Sequence, residues 1–412
     1  MNKLNELIHM LCPEGVEYKR LGEIATVSRG GNFQKKDYVE TGIPCIHYGQ
    51  IYTQYRLFVD KTISFISEEK AARQKFAVKN DIIMAVTSEN IDDVCKCVAW
   101  LGEEDVAVSG HTAIIHHTIN PKYLVYYLHS TMFFKQKTKL AHGTKVIEVT
   151  PDKLLNIILP VPPAEIQSEI VRILDNFTQL TTELAIKLTA EITAKQKQYE
   201  YYKDQLLSFV CNVPQVKLGD YFPHIRNGFV GTATPYFTTE DNGIRYLKGT
   251  NIHDGVISDN DFCYITPEFH QKHIRNELKI NDILMVQSGH VGECAVVTEQ
   301  YVGANCHALI IMSNGGNCSS KYVVHYLHTT EGKKKLAAIT TGGTIKHILA
   351  SEMKKFTIPL PALDEQERIV DILDRLDAHC NDLVSDITAE VEARQKQYEH
   401  YRDKLLSFKE KE

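Results

Sequence analysis

Apolar side chains recur at steps of three and four residues along the C-terminal part of the chain. A narrow stripe with a mean spacing of about 3.5 residues is typical of a coiled-coil seam. Pro359 and Pro361 precede it and end the segment before it. The pattern predicts a helix of about 50 residues, which spans about 70 Å at ~1.5 Å per residue. The stripe consists of Ile369, Leu373, Leu376, Cys380, Leu383, Ile387, Val391, Tyr398, Tyr401, Leu405 and Phe408.

The same pattern occurs once more, earlier in the chain. Gln366 follows Gln167 by 199 residues, and Phe408 follows Phe209 by the same 199, with no gap between. Such self-similarity is the signature of an internal repeat. The earlier stripe consists of Ile170, Leu174, Phe177, Leu184, Leu188, Ile192, Tyr199, Tyr202, Leu206 and Phe209.

Two long helices in one chain can bury their seams against each other. Because segments of domain size separate the two, we expect an antiparallel pair. A core helix of a globular domain is the alternative, and the length of the pattern disfavours it. The residues predicted to hold the helices together are Gln167, Ile170, Leu174, Leu184, Leu188, Gln366, Ile369, Leu373, Leu383 and Ile387.

The segments before the two helices also repeat, although more loosely. Short β-branched runs such as 80–84 and 281–285 are bounded by Asn and Asp and predict strands, with helical stretches after them. The predicted fold class is therefore α/β: two similar domains, each followed by one long helix. The predicted boundaries are 1–16 (an N-terminal helical turn), 17–159 (first domain), 160–212 (central helix), 213–358 (second domain) and 359–412 (distal helix).

The N-terminal turn resembles the end of a long helix whose body is missing. We expect it to lie near the end of the distal helix, at 405–408. An isolated capping helix is the alternative. Framework segments agree between the two domains while loops such as 30–38 and 229–242 differ, which fits two recognition domains with different targets. Neutral drift would give the same picture.

Composition narrows the class of protein. The 412 residues are 43% hydrophobic and 24% charged, as in ordinary globular proteins, and the formal net charge is −6. A uniformly basic nucleic-acid coat is therefore excluded, and DNA binding would need local basic patches. The ten cysteines are scattered without paired metal-ligand spacing, which favours a reducing cytoplasm and no metal site. No secretory leader or membrane-spanning stretch is expected.

Basic patches do occur, at matching places in the two domains. A lysine cluster that runs into a Gly-Thr loop suits phosphate contact, through point charges and exposed backbone N–H groups. Earlier in each domain, Arg and Asn side chains can read base edges. A solvated lysine face is the alternative. The candidate DNA-binding residues are Arg29, Asn32, Lys35, Lys36, Lys135, Lys137, Lys139, Thr144, Lys145, Arg226, Asn227, Lys333, Lys334, Lys335, Thr344 and Lys346.

Catalytic signatures are not found in the sequence. It contains no phosphate-binding Walker loop and no metalloprotease His-Glu-x-x-His spacing, and its glycine pairs lack a strand–GxGxxG–helix context. We therefore expect no catalytic residue, no metal and no cofactor.

The chain resembles, over its whole length, the specificity subunits of type I restriction–modification systems. The resemblance is carried by Leu21-Gly22-Glu23 and Leu218-Gly219-Asp220, which open the domains, and by Leu159–Pro162 and Ile358–Pro361, which close them. The motif Gln-x-x-Ile-Val-x-Ile-Leu-Asp that opens each helix, at 167–175 and 366–374, is the most specific part. The second domain departs from the family pattern at Gly243-Ile244-Arg245, where a proline is common.

The resemblance implies two target-recognition domains separated by an antiparallel helix pair. Each domain would read one half of a bipartite site in double-stranded DNA, and the helices would set the gap. The helices, through the residues named above, would also dock two modification subunits that methylate adenine N6, and restriction subunits that translocate DNA can join. The chain itself would not be catalytic. The alternatives are a coiled-coil scaffold without DNA reading, or a methyltransferase or nuclease in its own right.

Overall fold

The computed structural model describes residues 2–208, 213–343 and 346–412 of the chain. The chain divides into two compact units. One contains residues 1–187 and 389–412, and the other contains 188–388. Each unit therefore holds one α/β domain and segments of both long helices.

The described part of the first unit has seven short α-helices, one 3₁₀ turn and fourteen strands before the first long helix. The helices are α1 (Asn2–Leu11), α2 (Leu21–Ile24), α3 (Tyr48–Thr53), α4 (Glu68–Ala71), α5 (Pro121–Leu128), α6 (Thr131–Leu140) and α7 (Pro151–Leu154). The strands are β1 (Tyr18–Arg20), β2 (Ala25–Arg29), β3 (Tyr38–Val39), β4 (Ile43–Ile46), β5 (Phe58–Val59), β6 (Ser64–Ile66), β7 (Lys75–Ala77), β8 (Ile82–Ala85), β9 (Thr87–Ser88), β10 (Cys97–Trp100), β11 (Val106–Val108), β12 (Thr112–His117), β13 (Ile147–Glu148) and β14 (Ile158–Pro160).

Two five-stranded sheets form the centre of the first domain, with strand orders β2-β12-β8-β10-β5 and β3-β6-β4-β11-β7. All four residues of strand β8 are buried. Because successive side chains of a strand point to opposite faces, β8 is covered on both faces. Ile83 and Ala85 pack with Ile46 and Val108 of the other sheet. Ile82 and Met84 pack in a cluster with residues of α5 and α6. The domain thus has a sheet–sheet core and a sheet–helix core.

The second unit repeats this plan with shorter strands. The helices are α8 (Ala164–Ser208), which begins in the first unit, α9 (Leu218–Tyr221), α10 (Pro267–Lys272), α11 (Ser320–Leu327), α12 (Thr330–Ile339), α13 (Ala350–Lys355) and α14 (Leu363–Leu405), which ends in the first unit. The strands are β15 (Gln215–Lys217), β16 (His224–Asn227), β17 (Phe237–Thr238), β18 (Ile244–Leu247), β19 (Ile252–His253), β20 (Val256–Ile257), β21 (Cys263–Ile265), β22 (Ile283–Val286), β23 (Cys294–Val296), β24 (Asn305–Cys306), β25 (Leu309–Ser313) and β26 (Thr357–Pro359).

The sheets of the second domain correspond to those of the first. Strand orders are β16-β25-β22-β23 and β17-β21-β18-β24. Ile283 and Met285 of β22 pack in a cluster with residues of α11, and Leu284 and Val286 pack in the sheet–sheet core. In each domain the opening and closing strands pair antiparallel, β1 with β14 and β15 with β26. The internal repeat seen in the sequence is therefore a repeat of fold.

The long helices α8 and α14 run antiparallel within each unit. In the first unit the Phe177 and Tyr401 rings stack at 5.8 Å, and Thr178 donates to Tyr398 over 3.2 Å. In the second unit Tyr199 of α8 hydrogen-bonds Asp377 of α14. The predicted fold class, two similar α/β domains with an antiparallel pair of long helices, is confirmed. Phe209, predicted as the last seam residue of the central helix, lies outside the described residues.

The N-terminal helix α1 packs on the end of α14. Leu4 is buried in a cluster that contains Leu406, with Leu7 and Phe408 beside it. The backbone N–H of Val16 donates to the Lys409 carbonyl over 2.8 Å, and Lys411 donates back to Val16 over 3.0 Å. The first and last segments of the described chain therefore meet in one unit.

Gln167 and Gln366 fasten each long helix to its own domain. Gln167 donates to the Pro162 carbonyl over 2.7 Å and accepts from the Asn120 backbone N–H over 2.9 Å. Gln366 makes the same pair of bonds with the Pro361 carbonyl and the Ser319 N–H, at 2.8 and 2.9 Å. Both glutamines are buried. The expectation that they join the two helices to each other is therefore corrected.

The first seam positions of each helix are also part of a domain core. Ile170 and Leu174 are fully buried with Tyr123 and Tyr126 of α5, in a cluster that also contains Leu406. Ile369 and Leu373 are buried in the main cluster of the second unit. The prediction that these four residues dock partner subunits is corrected, because their side chains are not accessible. Of the remaining seam positions, Leu184, Leu188 and Leu383 are half-buried and Ile387 is buried.

Replacing Gln167 or Gln366 with leucine should destabilise the corresponding unit by about 2–3 kcal/mol. The change leaves a buried carbonyl and a backbone N–H without partners. Urea unfolding of the full chain measures the loss. Gln179→Leu is the matched control, since Gln179 is exposed on the α8 helix and donates to the exposed Glu183 side chain over 2.8 Å. Equal losses in the control and in the two buried variants would contradict the assigned role.

Candidate nucleic-acid interface

An open cleft of about 720 Å³ lies at one end of the first domain. One wall is the loop that follows β2, where Gly30 and Gly31 turn the chain. A Cβ at Gly30 would stand 2.0 Å from the Ser109 carbonyl oxygen, so the loop needs glycine there. The lining residues are Arg29, Gly30, Gly31, Asn32, Phe33, Gln34, Lys35, Lys36, His47, Tyr48, Ser109, Gly110 and His111.

Four predicted site residues of the first domain converge on this cleft. Asn32 is exposed, and Lys35 and Lys36 are exposed on a short 3₁₀ turn, Lys35–Asp37. Asp37 anchors that turn by accepting from the Gln34 N–H over 2.8 Å and by pairing with Lys70, and these contacts lower its pKa. Arg29 donates to Glu148 over 3.0 Å and to the Gly110 carbonyl over 3.2 Å. Arg29 therefore braces the cleft, while the exposed side chains of the other three can contact a ligand.

Sequence reasoning missed the aromatic wall of the cleft. The Tyr48 ring lies 4.5 Å from the His47 ring and 5.0 Å from the His111 ring. Burial, with Lys35 nearby, lowers the pKa of His47, so this ring is neutral at pH 7. His47 and Tyr48 directly follow strand β4. Their position at the end of a strand was the sequence signal that could have identified them.

The lysine cluster of the first domain divides into two kinds of residue. Lys135 and Lys139 are exposed on α6, and Thr144 and Lys145 are exposed in the loop after it. Lys137 is only 5% exposed, and its Nζ donates to the carbonyls of Asp92 and Val94 over 2.8 and 2.7 Å. The prediction that Lys137 contacts phosphate is corrected, because its ammonium group is used inside the domain.

The second domain shows the same division. Arg226 donates to the Arg275 carbonyl over 2.9 Å and to Ser313 Oγ over 2.7 Å, so its guanidinium group is bonded within the domain, as that of Arg29 is. Asn227 is exposed at the end of β16. Lys333, Lys334 and Lys346 are exposed, and Lys335 is half-buried with its Nζ 3.0 Å from Tyr326 Oη. Thr344 lies outside the described residues.

Two equivalent histidines, His129 and His328, stand just before α6 and α12, the helices that carry the lysine clusters. His129 Nδ1 stands 3.9 Å from Cys97 Sγ, and His328 Nε2 stands 3.6 Å from Cys294 Sγ. Burial lowers the pKa of each to about 4. The positive charge of Arg402 adds to the shift at His129, and that of Lys203 adds to it at His328. Both rings are therefore neutral at pH 7.

These histidines should make the stability of the protein fall as pH drops from about 6.5 to 4. In that window the unfolded chain binds a proton at each histidine and the folded chain does not, so each contributes about 1.4 kcal/mol per pH unit. His129→Gln and His328→Gln should each flatten the slope by about that amount in urea unfolding. The carboxylates titrate alike in variant and parent, so the difference isolates the histidine. An unchanged slope would contradict the burial of a neutral ring.

The described ranges contain no group of three or more His, Cys, Asp or Glu side chains placed to hold a metal ion. Among these same residues, no helix combines the length and the apolar composition needed to span a membrane. The two domains offer a cleft, anchored loops and exposed lysines, which suit binding.

The chain belongs to the family of type I restriction modification DNA specificity domains, which it matches twice, over residues 13–194 and 215–393. It is 29% identical to the EcoR124I/EcoR124II specificity subunit of Escherichia coli, over 99% of this chain and 98% of the relative. It is 31% identical over 297 residues to a specificity subunit of Haemophilus influenzae described as S.HindORF215P, covering 70% of this chain and 73% of that one.

Solved structures share the fold. A chain from a study of complex assembly and conformational transition in the type I R-M system superposes with a TM-score of 0.72 at 20% identity, over 96% of this chain and 98% of that one. The HsdS subunit of Thermoanaerobacter tengcongensis superposes with a TM-score of 0.52 at 18% identity, over 96% and 97%.

Proposed function

We propose that this chain is the DNA-recognition subunit of a type I restriction–modification complex. Each α/β domain reads one half of a bipartite site in double-stranded DNA, and the chain itself does no catalysis. The observation that carries the proposal is the occurrence, in two domains of one fold, of an anchored loop after the first sheet strand together with an exposed lysine helix. Family membership supports the same reading, and the scaffold alternative explains neither the cleft nor the lysines.

Each domain divides the work between two surfaces. The exposed lysines contact phosphates, which gives affinity for any duplex. The loops at 30–37 and 228–236 face base edges, which gives sequence preference. In the first domain Asn32, Lys35 and Lys36 can donate to base acceptors, and Arg29 holds the loop. Arg226 has the holding role in the second domain.

Two modification subunits and, in some assemblies, restriction subunits are the proposed protein partners. The buried residues at the start of α8 and α14 cannot serve them. Exposed apolar side chains remain on α8 and suit a partner surface. They are Phe177 (37% exposed), Leu180 (63%), Ile186 (62%), Tyr201 (60%) and Tyr202 (45%).

Exchange of residues 17–159 for the same segment of a relative tests the proposal. The boundary is favourable because its two ends are neighbours, held together by the β1–β14 ladder in which Lys19 pairs with Leu159. The chimera, assembled with modification subunits, should methylate sites changed in one half only, as read by sequencing modified adenines. Exchange of 213–358 should change the other half. A change in both halves, or in neither, contradicts the assignment of one domain to one half-site.

A further inference from the structure

The loops that follow the first sheet strand are equivalent in the two domains. Gly30 and Gly31 donate to the carbonyls of Thr112 and Val108, over 3.0 and 2.7 Å. Gly228 and Phe229 donate to the carbonyls of Leu309 and Cys306, over 2.7 and 3.0 Å. Val108 and Cys306 pair with matching strands, β4 and β18. Asn32, whose N–H donates to the Gln74 side chain over 2.6 Å, and Val230 therefore occupy equivalent positions one residue further on.

The far ends of the loops match as well. Each loop passes through a 3₁₀ turn, Lys35–Asp37 or Thr234–Tyr236, and then enters a short strand. Tyr38 pairs with Ile66 in the first domain, and Phe237 pairs with Ile265 in the second. The two loops thus occupy one place in the fold, and their side chains can be compared directly.

The two loops differ in the chemistry of their side chains. The first loop carries Asn32, Gln34, Lys35 and Lys36. The second, residues 228–236, contains no charged and no amide side chain. Val230 is 64% exposed, and Tyr236 is 41% exposed. Its polar side-chain groups are the hydroxyls of Thr232, Thr234 and Tyr236, and at the position of Asn32 it presents the methyl groups of Val230.

The loop 228–236 is held by contacts with aromatic rings, which together form a platform. The Phe229 ring lies 4.9 Å from Phe269 and 4.8 Å from His273, and the Tyr236 ring stacks on Phe269 at 4.3 Å. Burial, with the charges of Lys272 and Arg275 beside it, lowers the pKa of His273, which is therefore neutral at pH 7. Lys272 and Arg275 place positive charge beside the platform, which favours the approach of DNA phosphates.

We propose that the loop 228–236 reads thymine by contact between Val230 and the C5-methyl group in the major groove. The methyl is the feature of a base edge that an apolar side chain can recognise, since every other distinguishing group there is a hydrogen-bond donor or acceptor. The half-site of the second domain therefore contains at least one A·T pair whose methyl is required, whereas the first domain reads through hydrogen bonds. This inference depends on the proposed function and names the base class that one domain selects.

Uracil substitution tests the contact, because uracil lacks only the methyl group. The assembled complex is titrated with duplexes that carry the mapped site, with thymine replaced by uracil in one half-site at a time. The domain exchange above first assigns the half-sites. Each required methyl lost from the half-site of the second domain should weaken binding about fourfold, since a buried methyl group contributes about that factor. In the other half-site the change should stay below about twofold.

Val230→Ala should weaken binding to the thymine duplex and reduce the uracil effect to below about twofold. Val256→Ala is the matched control, since Val256 is 61% exposed in the same unit and outside the loop, and it should keep the full effect. Equal uracil effects in both half-sites, or full uracil sensitivity in Val230→Ala, would each overturn the inference. Failure of the domain exchange itself would instead overturn the proposed function.

Discussion

Replacing Lys135, Lys139 and Lys145 together with alanine should lower the affinity of the assembled complex for any duplex about a hundredfold at ~0.1 M salt. Each of these exposed lysines is assigned one phosphate contact. Loss of three contacts should also reduce the slope of log affinity against log salt by up to about 3. Because phosphate contacts carry no sequence information, specific and random duplexes should lose affinity alike.

The matched arginine variant and Lys137→Ala separate this effect from misfolding. Arginine at 135, 139 and 145 keeps the charge and should restore most of the affinity. Lys137→Ala should leave the salt slope unchanged but destabilise the first unit by about 2–4 kcal/mol, since two carbonyls lose their donor and a cavity forms. A loss confined to one half-site, with the salt slope intact, would contradict the phosphate role.

The case of Lys137 shows what the sequence could and could not predict. Lysine spacing alone placed it with its neighbours in a basic patch. The repeat contained the correction, since Leu336 stands 199 residues later and is buried in the core of the second unit. The sequence says which positions are equivalent, but the inward direction of a lysine depends on carbonyls supplied by the 92–94 segment, which folding alone brings within reach.

The glutamines of the helix motif also show that the sequence identified the positions but not the bonding partners. Their exact repetition at 167 and 366 predicted that they matter, and the structure gives each the same two bonds. The seam pattern assigned them to the wrong partner, since an amide can bond to a loop of its own domain as well as to another helix. The strands, the repeated α/β plan and the long helices followed from periodicity, which needs no distant contact. The aromatic wall at Tyr48 depends on loops meeting in space and could not be predicted from spacing.

The second prediction with a large expected effect concerns insertions in the long helices. Both cross from one unit into the other at nearly the same place in the repeat, between residues 187 and 188 in α8 and between 388 and 389 in α14. The sequence there is Thr189-Ala190-Glu191 in one helix and Thr388-Ala389-Glu390 in the other. Four residues added at each place extend a helix by about one turn, ~6 Å, and keep the apolar stripe nearly in phase. One added residue rotates the stripe by about 100° and should prevent assembly of an active complex.

Mapping the methylated adenines of the four-residue insertion variant tests the central claim most directly. If each domain reads one half-site and the helices set the gap, the two half-sites should keep their letters. The unread spacer should lengthen by one to two base pairs, since ~6 Å corresponds to about two steps of ~3.4 Å. The methylated adenines of a variant with the insertion in α8 alone, near Thr189, are mapped in the same way. An active variant with an unchanged spacer would contradict the claim that these helices fix the distance between the two readers.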